Sequence, residues 1–420
     1  MPGFLHRLLL PSLLINGQIQ LSRSLRFATI GDWGDPKAVV AKAMQNYIAN
    51  SGGVGAIFST GDNFYENGVD SVDDKQWKEV FENVFAEPSV QVPWYPVLGN
   101  HDYYVNPEAQ IEYTTERNPS GRWNMPSNYY SEQFSLCDEP LTSNDCGVME
   151  VLFIDTILLD PYEDKEVQRT LKPGYHQETR AQRQLDWIEQ TLQSSTADWV
   201  FVVGHYPMYS VGANANDDRL RNLLEDLFNQ YQVDAYFCGH DHLLEHLSAG
   251  SVHYYVSGSG TKLESKFHQD ESYDKNEFIW AELQYGFTVH DITKDSMNVT
   301  FVNHKEHVIY TYTQQQKRNA AALADASYAA TKSEKVSWRT ASTPIFLAIC
   351  SAISALGVLL LISSRRTKPS KALAKMKSLY LKTSAEKKSL LRSSNSLDYT
   401  HTRRSSAARD NKSQKGSITI

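Results

Sequence analysis

The stretch Gly61-Asp62-Asn63-Phe64-Tyr65 sets a carboxylate and a phenol three residues apart, directly after the apolar run Ala56-Ile57-Phe58-Ser59-Thr60. A short apolar run of this kind reads as a buried strand. Ligands in open α/β sheets bind where such strands end. An aspartate at that place can bridge two metal ions, and a phenolate is a hard oxygen donor suited to Fe(III). Four more apolar runs end in a glycine followed by Asp, Asn or His. They give Gly31-Asp32, Gly99-Asn100-His101-Asp102, Gly204-His205 and Gly239-His240-Asp241-His242. One such end is ordinary turn chemistry, whereas five at the same place relative to strands form a donor set. Asp32, Asp62, Tyr65, Asn100, His205, His240 and His242 suffice for two ions that share Asp62. Two ions about 3.5–4 Å apart can orient a phosphate ester, generate hydroxide near neutral pH and offset charge in an in-line displacement.

The elements that must carry these donors alternate early in the chain and become strand-rich later. Strands are expected at Arg26–Ile30, Ala56–Thr60, Val148–Ile154, Trp199–Val203, Ala235–Cys238 and Val252–Val256, and further on around Phe287–His290, Val299–Val302 and Val308–Tyr312. Helices are expected from Pro36 to about Asn50, at Asp74–Phe85, at Glu178–Leu192 and at Asp218–Tyr231, where Leu220, Leu223, Leu224 and Leu227 share a face. Residues 103–147 read as loop-rich. The pattern indicates a mixed α/β sandwich.

Charge and hydropathy divide the 420 residues further. Residues 365–420 hold 15 Lys/Arg and 3 Asp/Glu, so with −8 for the whole chain residues 1–364 carry −20. An acidic main domain argues against nucleic acid as a partner. Residues 1–17, with His6 and Arg7 before Leu8–Ile15, read as a signal peptide. Ile345–Ser364 is a run of 20 uncharged residues, long enough for a bilayer core of about 30 Å. Arg365, Arg366, Lys368 and Lys371 follow it and place the tail on the cytosolic side. The expected organisation is a signal peptide (1–17), a catalytic domain (26–312), a stalk (313–343), a transmembrane helix (344–364) and a basic cytosolic tail (365–420). This is a single-pass type I membrane protein of the secretory pathway, at the plasma membrane or an endolysosomal or vacuolar membrane. In that compartment Cys137 and Cys146 form a plausible small disulfide loop, and Asn298-Val299-Thr300 is a glycosylation sequon. Cys238 and Cys350 read as inert thiols. Glu386, Leu390 and Leu391 match an acidic dileucine motif that a sorting adaptor could read; the bland alternative is a Leu/Lys patch resting on anionic lipid.

The strand-end motifs, taken in order, resemble the dinuclear metallophosphoesterases of the calcineurin-like superfamily. Within them the likeness is to the purple acid phosphatases, especially the animal-type tartrate-resistant acid phosphatases. Arg122-Trp123-Asn124-Met125-Pro126-Ser127-Asn128-Tyr129-Tyr130 also looks like that subgroup, and the likeness spans about residues 26–310. The resemblance implies a four-layer α/β/β/α sandwich and hydrolysis of phosphate monoesters in acid. It implies Fe(III) held by Asp32, Asp62, Tyr65 and His242, and a divalent ion (Fe(II), Zn(II) or Mn(II)) held by Asp62, Asn100, His205 and His240. His101 would contact the phosphate or protonate the leaving alkoxide. Where Ser/Thr-phosphatase-like relatives place a His two residues after the first Asp, this chain has Gly34, and Tyr65 supplies the donor. Animal-type members carry another His in the loop after His-Tyr-Pro; here that position is Asn214, which can hydrogen-bond phosphate but cannot donate as an acid. Asp160–Glu166 falls where such enzymes have an exposed loop over the site, and its four acids could repel anionic substrates until the loop is cut. Two other readings use the same features: a catalytically silent membrane receptor, and a phosphodiesterase, pyrophosphatase or iron redox enzyme with the same metals.

Overall fold

The computed structural model describes residues 25–318 apart from 38, 137–146, 171–177, 215 and 269–277. The chain divides into units 1–332 and 333–420, and every described residue belongs to the first. Among the described residues no helix is long and apolar enough to cross a membrane. The signal peptide, the Cys137–Cys146 loop, most of the stalk, the 344–364 span and the tail lie outside them.

Two sheets face each other. The first has the order β13-β12-β11-β1-β2-β3, built from β1 (Leu25–Ile30), β2 (Ala56–Ser59), β3 (Trp94–Pro96), β11 (Gly286–Ile292), β12 (Ser296–Asn303) and β13 (Val308–Gln315). The second has the order β10-β8-β9-β7-β6-β5-β4. Its strands are β4 (Tyr130–Ser135), β5 (Val148–Phe153), β6 (Trp199–Val203), β7 (Ala235–Cys238), β8 (Leu244–Ala249), β9 (Val252–Ser257) and β10 (Phe278–Glu282). Strands buried on both faces become continuous apolar runs, which is why β2, β6 and β7 carry no alternation. The sheets meet through aromatic rings: Phe58 lies edge-on to Phe153 at 5.2 Å, Phe27 is 6.1 Å from Phe201, and His290 is edge-on to Phe237 at 4.9 Å. Each such pair adds about 0.5–1.5 kcal/mol beyond area burial.

Parallel pairing makes the strand ends coincide. Ile30 is opposite Ser59, and Ser59 opposite Pro96. In the second sheet Phe153 is opposite Val203, and Val203 opposite Phe237. The donor-bearing turns therefore leave both sheets at their C-terminal edges, where a ligand can meet several of them at once.

The helices are α1 (Ala41–Asn50), α2 (Glu108–Glu116), α3 (Thr156–Leu159), α4 (Lys165–Thr170), α5 (Glu178–Ser194) and α6 (Asp218–Gln230). Pro36 does not open the first helix; the chain turns before α1 begins at Ala41. The helix expected at Asp74–Phe85 is a shorter π-helical segment, Trp77–Glu82. Residues 103–147 hold more order than a loop-rich reading allows, since α2 and β4 both lie there. Trp77 stacks flat on Tyr113 of α2, with ring centroids 3.5 Å apart, and this tertiary contact supplies what the weak periodicity of α2 does not.

Candidate metal centre

Three of the expected ligands, Asp32, Asp62 and His240, have positive φ angles of 58°, 52° and 68°. Left-handed backbone costs an L-residue roughly 1–2 kcal/mol. Such residues persist only where the surroundings over-determine them, and they gather at functional sites. Here each stands in the first turn after a strand, and the twist swings the carboxylate or imidazole back over the sheet edge. Glycines make room for this. A Cβ on Gly61, itself at φ +96°, would lie 2.6 Å from His205 Nδ1, and one on Gly99 would lie 2.9 Å from the Asp62 carboxyl carbon.

The donors converge. Donor atoms of Asp32, Asp62 and His205 all lie within 4.8 Å of one another, and all three side chains are buried. On one side the Tyr65 hydroxyl donates to Asp32 Oδ1 at 3.0 Å and sits 3.4 Å from His242 Nε2, which is itself 3.4 Å from Asp32 Oδ1. On the other, His205 Nδ1 is 2.8 Å from the Thr60 carbonyl, so that nitrogen carries the proton and Nε2 presents its lone pair. The Asn100 amide donates from Nδ2 to Asp164 Oδ2 at 2.7 Å and to the Tyr104 hydroxyl at 3.1 Å, which turns its oxygen inward. Asn100 Oδ1 and His205 Nε2 thus face each other at 2.9 Å. A proton on His205 Nε2 or a metal cation held between the two atoms satisfies this pair. His205 Nε2 also lies 3.6 Å from Asp62 Oδ1, and the His205 and His240 rings are 5.0 Å apart.

Electrostatics agree. Among the described residues no Lys or Arg pairs with Asp32 or Asp62. Burial resists ionisation of Asp62, but the imidazoles of His205, His101 and His240 outweigh it and hold the carboxyl below its ordinary range. Burial, followed by the neighbouring His205, pushes His240 well below the ordinary histidine range, leaving a neutral ring free to ligate. Burial, with Asp32 and Asp62 beside it, holds the Tyr65 phenol well above its ordinary value. A phenol so placed ionises only against a strong positive charge. Buried carboxylates without a Lys or Arg partner among the described residues, the facing His205 and Asn100 atoms and the neutral His240 ring together fit a pair of metal ions.

His101 stands at the rim. Its backbone N–H donates to Asp62 Oδ1 at 3.0 Å, its Nδ1 meets the Glu66 carbonyl at 2.5 Å, and its Nε2 faces the site 3.9 Å from Asp62 Oδ2. Asn214 is engaged elsewhere: its backbone N–H and its side-chain amide both donate to Asp241 Oδ1, at 3.0 and 2.9 Å. Asn298 is exposed on β12, with its carbonyl oxygen accepting from Thr313.

Several residues here escaped sequence reasoning. Asp160–Glu166, expected to lie exposed over the site, is exposed at Tyr162 and Glu163, while Asp160 is buried, Asp164 grips Asn100 and Tyr104, and α4 begins at Lys165. The buried Asp102 accepts from the backbone of Asn63, Phe64 and Gly99 and from Gln110, tying two ligand-bearing turns together. Lys262 lies 3.8 Å above the Tyr65 ring and pairs with Glu66 at 3.0 Å. Only Asp102 had a local signal, its place in the Gly99–Asp102 motif.

A two-sheet α/β fold with a carboxylate, imidazole and phenol site at its strand ends is that of a metallophosphoesterase. The model of the calcineurin-like phosphoesterase family matches residues 25–244, and the chain belongs to that family. It is 35% identical over 313 residues to tartrate-resistant acid phosphatase type 5 of Homo sapiens, covering 71% of this chain and 92% of that protein. It is 31% identical over 290 residues to purple acid phosphatase 4 of Arabidopsis thaliana, covering 66% and 80%. Among solved structures it is similar to GAP50, described as the anchor in the inner membrane complex of Plasmodium. That match has a TM-score of 0.61 and 26% identity, and covers 71% of this chain and 93% of GAP50.

Proposed function

We propose that this chain is a dinuclear-metal acid phosphatase that hydrolyses phosphate monoesters on the non-cytosolic side of a membrane. The observation that carries the reading is the opposed pair His205 Nε2 and Asn100 Oδ1 beside the strained, buried Asp62. Asp32, Asp62, Tyr65 and His242 would hold Fe(III), and Asp62, Asn100, His205 and His240 a divalent Fe, Zn or Mn ion. When bound, the ions supply a nucleophile near neutral pH and positive charge for the phosphate. The chain's own contribution is positional. Thr60 and Asp164 fix the orientation of His205 and Asn100. Glu66 fixes the tautomer of His101, whose inward Nε2 can hold a proton at the leaving-group oxygen. Asn214, committed to Asp241, anchors its loop and leaves the acid role to His101. The four-layer arrangement, the signal peptide, the type I span over 344–364, glycosylation at Asn298, the Cys137–Cys146 bridge and sorting through Glu386, Leu390 and Leu391 complete this reading.

The test is the visible absorption of the purified chain. A broad band that disappears in Tyr65→Phe, together with hydrolysis of p-nitrophenyl phosphate, is the expected result. A folded protein without bound metal and without turnover overturns it. The similarity to GAP50 favours a second reading, a membrane anchor or receptor built on the fold, and that inactive outcome would select it.

A further inference from the structure

A cavity of about 300 Å³ lies between the Ser127–Tyr129 segment, α3 and the first turns of α5. Its lining is Ser127, Asn128, Tyr129, Leu158, Arg180 and Arg183. Two guanidiniums, an amide and a hydroxyl therefore share one concavity, and among the described residues no carboxylate lines it. This is a local reversal of charge, since residues 1–364 carry −20. Arg180 is already engaged in a contact, and Arg183, exposed on α5, makes no hydrogen bond or ion pair among the described residues. Guanidinium forks match the planar, bidentate geometry of carboxylate and phosphate.

The walls are bonded to segments that adjoin the candidate ligands in sequence. The Asn128 amide donates to Asp155 Oδ2 and to the Tyr103 hydroxyl, both at 3.4 Å. Tyr103 follows His101 by two residues, so at most about 7 Å of backbone separates them. Asp155 Oδ1 accepts from the backbone of Leu158, and the next residue, Thr156, accepts through Oγ1 from the backbone N–H of Tyr206, which adjoins His205. Tyr129 packs on Trp187 of α5, ring centroids 4.9 Å apart, which fixes the distance between the Ser127–Tyr129 wall and the arginine-bearing helix. Both the cavity and the ligand turns thus hang on the same short connections.

We infer that this cavity is a subsite for a second oxyanion on the substrate, a phosphate or carboxylate borne on the same molecule as the scissile phosphomonoester. The inference rests on the phosphatase reading, and it deepens that reading by naming the substrate class. Charge-assisted hydrogen bonds contribute about 1.5–3 kcal/mol each, which is roughly 10- to 150-fold in kcat/KM.

The experiment compares the full-length chain with Arg180→Gln/Arg183→Gln. Substrates are phosphoserine peptides with glutamate or alanine flanks, and a sugar bisphosphate against its monophosphate. The expected result is at least a tenfold preference for the doubly anionic member of one pair, largely lost in the variant through KM. Which pair responds tells a carboxylate source from a phosphate source. Equal kcat/KM within both pairs, or a preference unchanged in the variant, overturns the inference. A chain that hydrolyses nothing is tested by titrating inorganic phosphate into chelator-treated, folded protein. Binding weakened at least tenfold in the variant supports the subsite even though the phosphatase reading has failed. Binding that is absent or unchanged removes it.

Discussion

Replacing Gly61 by alanine separates backbone strain from damage to the metal centre. The added Cβ would lie 2.6 Å from His205 Nδ1, and ordinary contact begins near 3.4 Å, so the imidazole must retreat by about 0.8 Å. Retreat stretches the bond to the Thr60 carbonyl, now 2.8 Å, and carries Nε2 away from Asn100 and Asp62. A misplacement of about 1 Å costs on the order of 100-fold in turnover. Placing a side chain at φ +96° adds roughly 1–2 kcal/mol of strain. Gly53→Ala is the matched control, because Gly53 also has a positive φ (+81°) and nothing lies within 4 Å of its added Cβ. Metal content by mass spectrometry, kcat/KM for p-nitrophenyl phosphate and the melting temperature would be measured on both. Both variants should melt earlier, but only Gly61→Ala should lose about one ion per chain and about 100-fold in kcat/KM. A Gly61→Ala protein with two ions and undiminished turnover would refute the claim that this turn is packed against a ligand.

Three further expectations follow from the same geometry. Asp164→Ala removes the charged one of the two acceptors that turn Asn100 inward, so competition with a chelator should show about 10- to 100-fold weaker binding of the divalent ion; unchanged affinity would show that Tyr104 alone suffices to orient Asn100. Burial raises the Asp234 carboxyl to about 7, so the folded state holds its proton more tightly than the unfolded chain. That contribution is fullest below pH ~4 and is lost as pH rises through 7. Asp234→Asn should therefore be more destabilising at pH 5.5 than at pH 7.5, by about 2 kcal/mol in urea melts, and a pH-independent difference would sink the argument. Arg122 is buried, pairs with Glu82 at 2.8 Å, and lies 4.5 Å from the centre of the Phe81 ring. Arg122→Ala leaves Glu82 without its counter-ion, with only the Tyr113 and Ser120 hydroxyls donating to it, and should cost about 3–5 kcal/mol, whereas a loss below 1 kcal/mol would mean that water replaces the guanidinium.

The candidate donor set was legible because parallel strands buried on both faces are written as short apolar runs, and each run here stops at a glycine and a donor. Asp32, Asp62, Tyr65, Asn100, His205, His240 and His242 could thus be placed at one edge before any pairing was known. Helix α2 and strands β4, β8 and β10 were not legible. Their residues are polar or mixed, as in Tyr130-Ser131-Glu132-Gln133-Phe134-Ser135, and their order comes from neighbours rather than from periodicity. The resemblance put Asp160–Glu166 over the site as an exposed loop; only the fold shows Asp164 reaching 64 residues back to Asn100.

What the sequence determined by itself is chemistry of local origin: which donors exist, that glycine precedes them, and which strand each one follows. What only the tertiary structure decided is who faces whom. It set His205 Nε2 and Asn100 Oδ1 against each other, turned Asn214 onto Asp241, and brought Arg180 and Arg183 to the Ser127–Tyr129 wall. The physical reason is range. Backbone hydrogen bonding and burial impose a period of two or 3.6 residues that a chain displays along its length. A side chain's partners are chosen by packing across tens to hundreds of residues, and no local pattern records that choice.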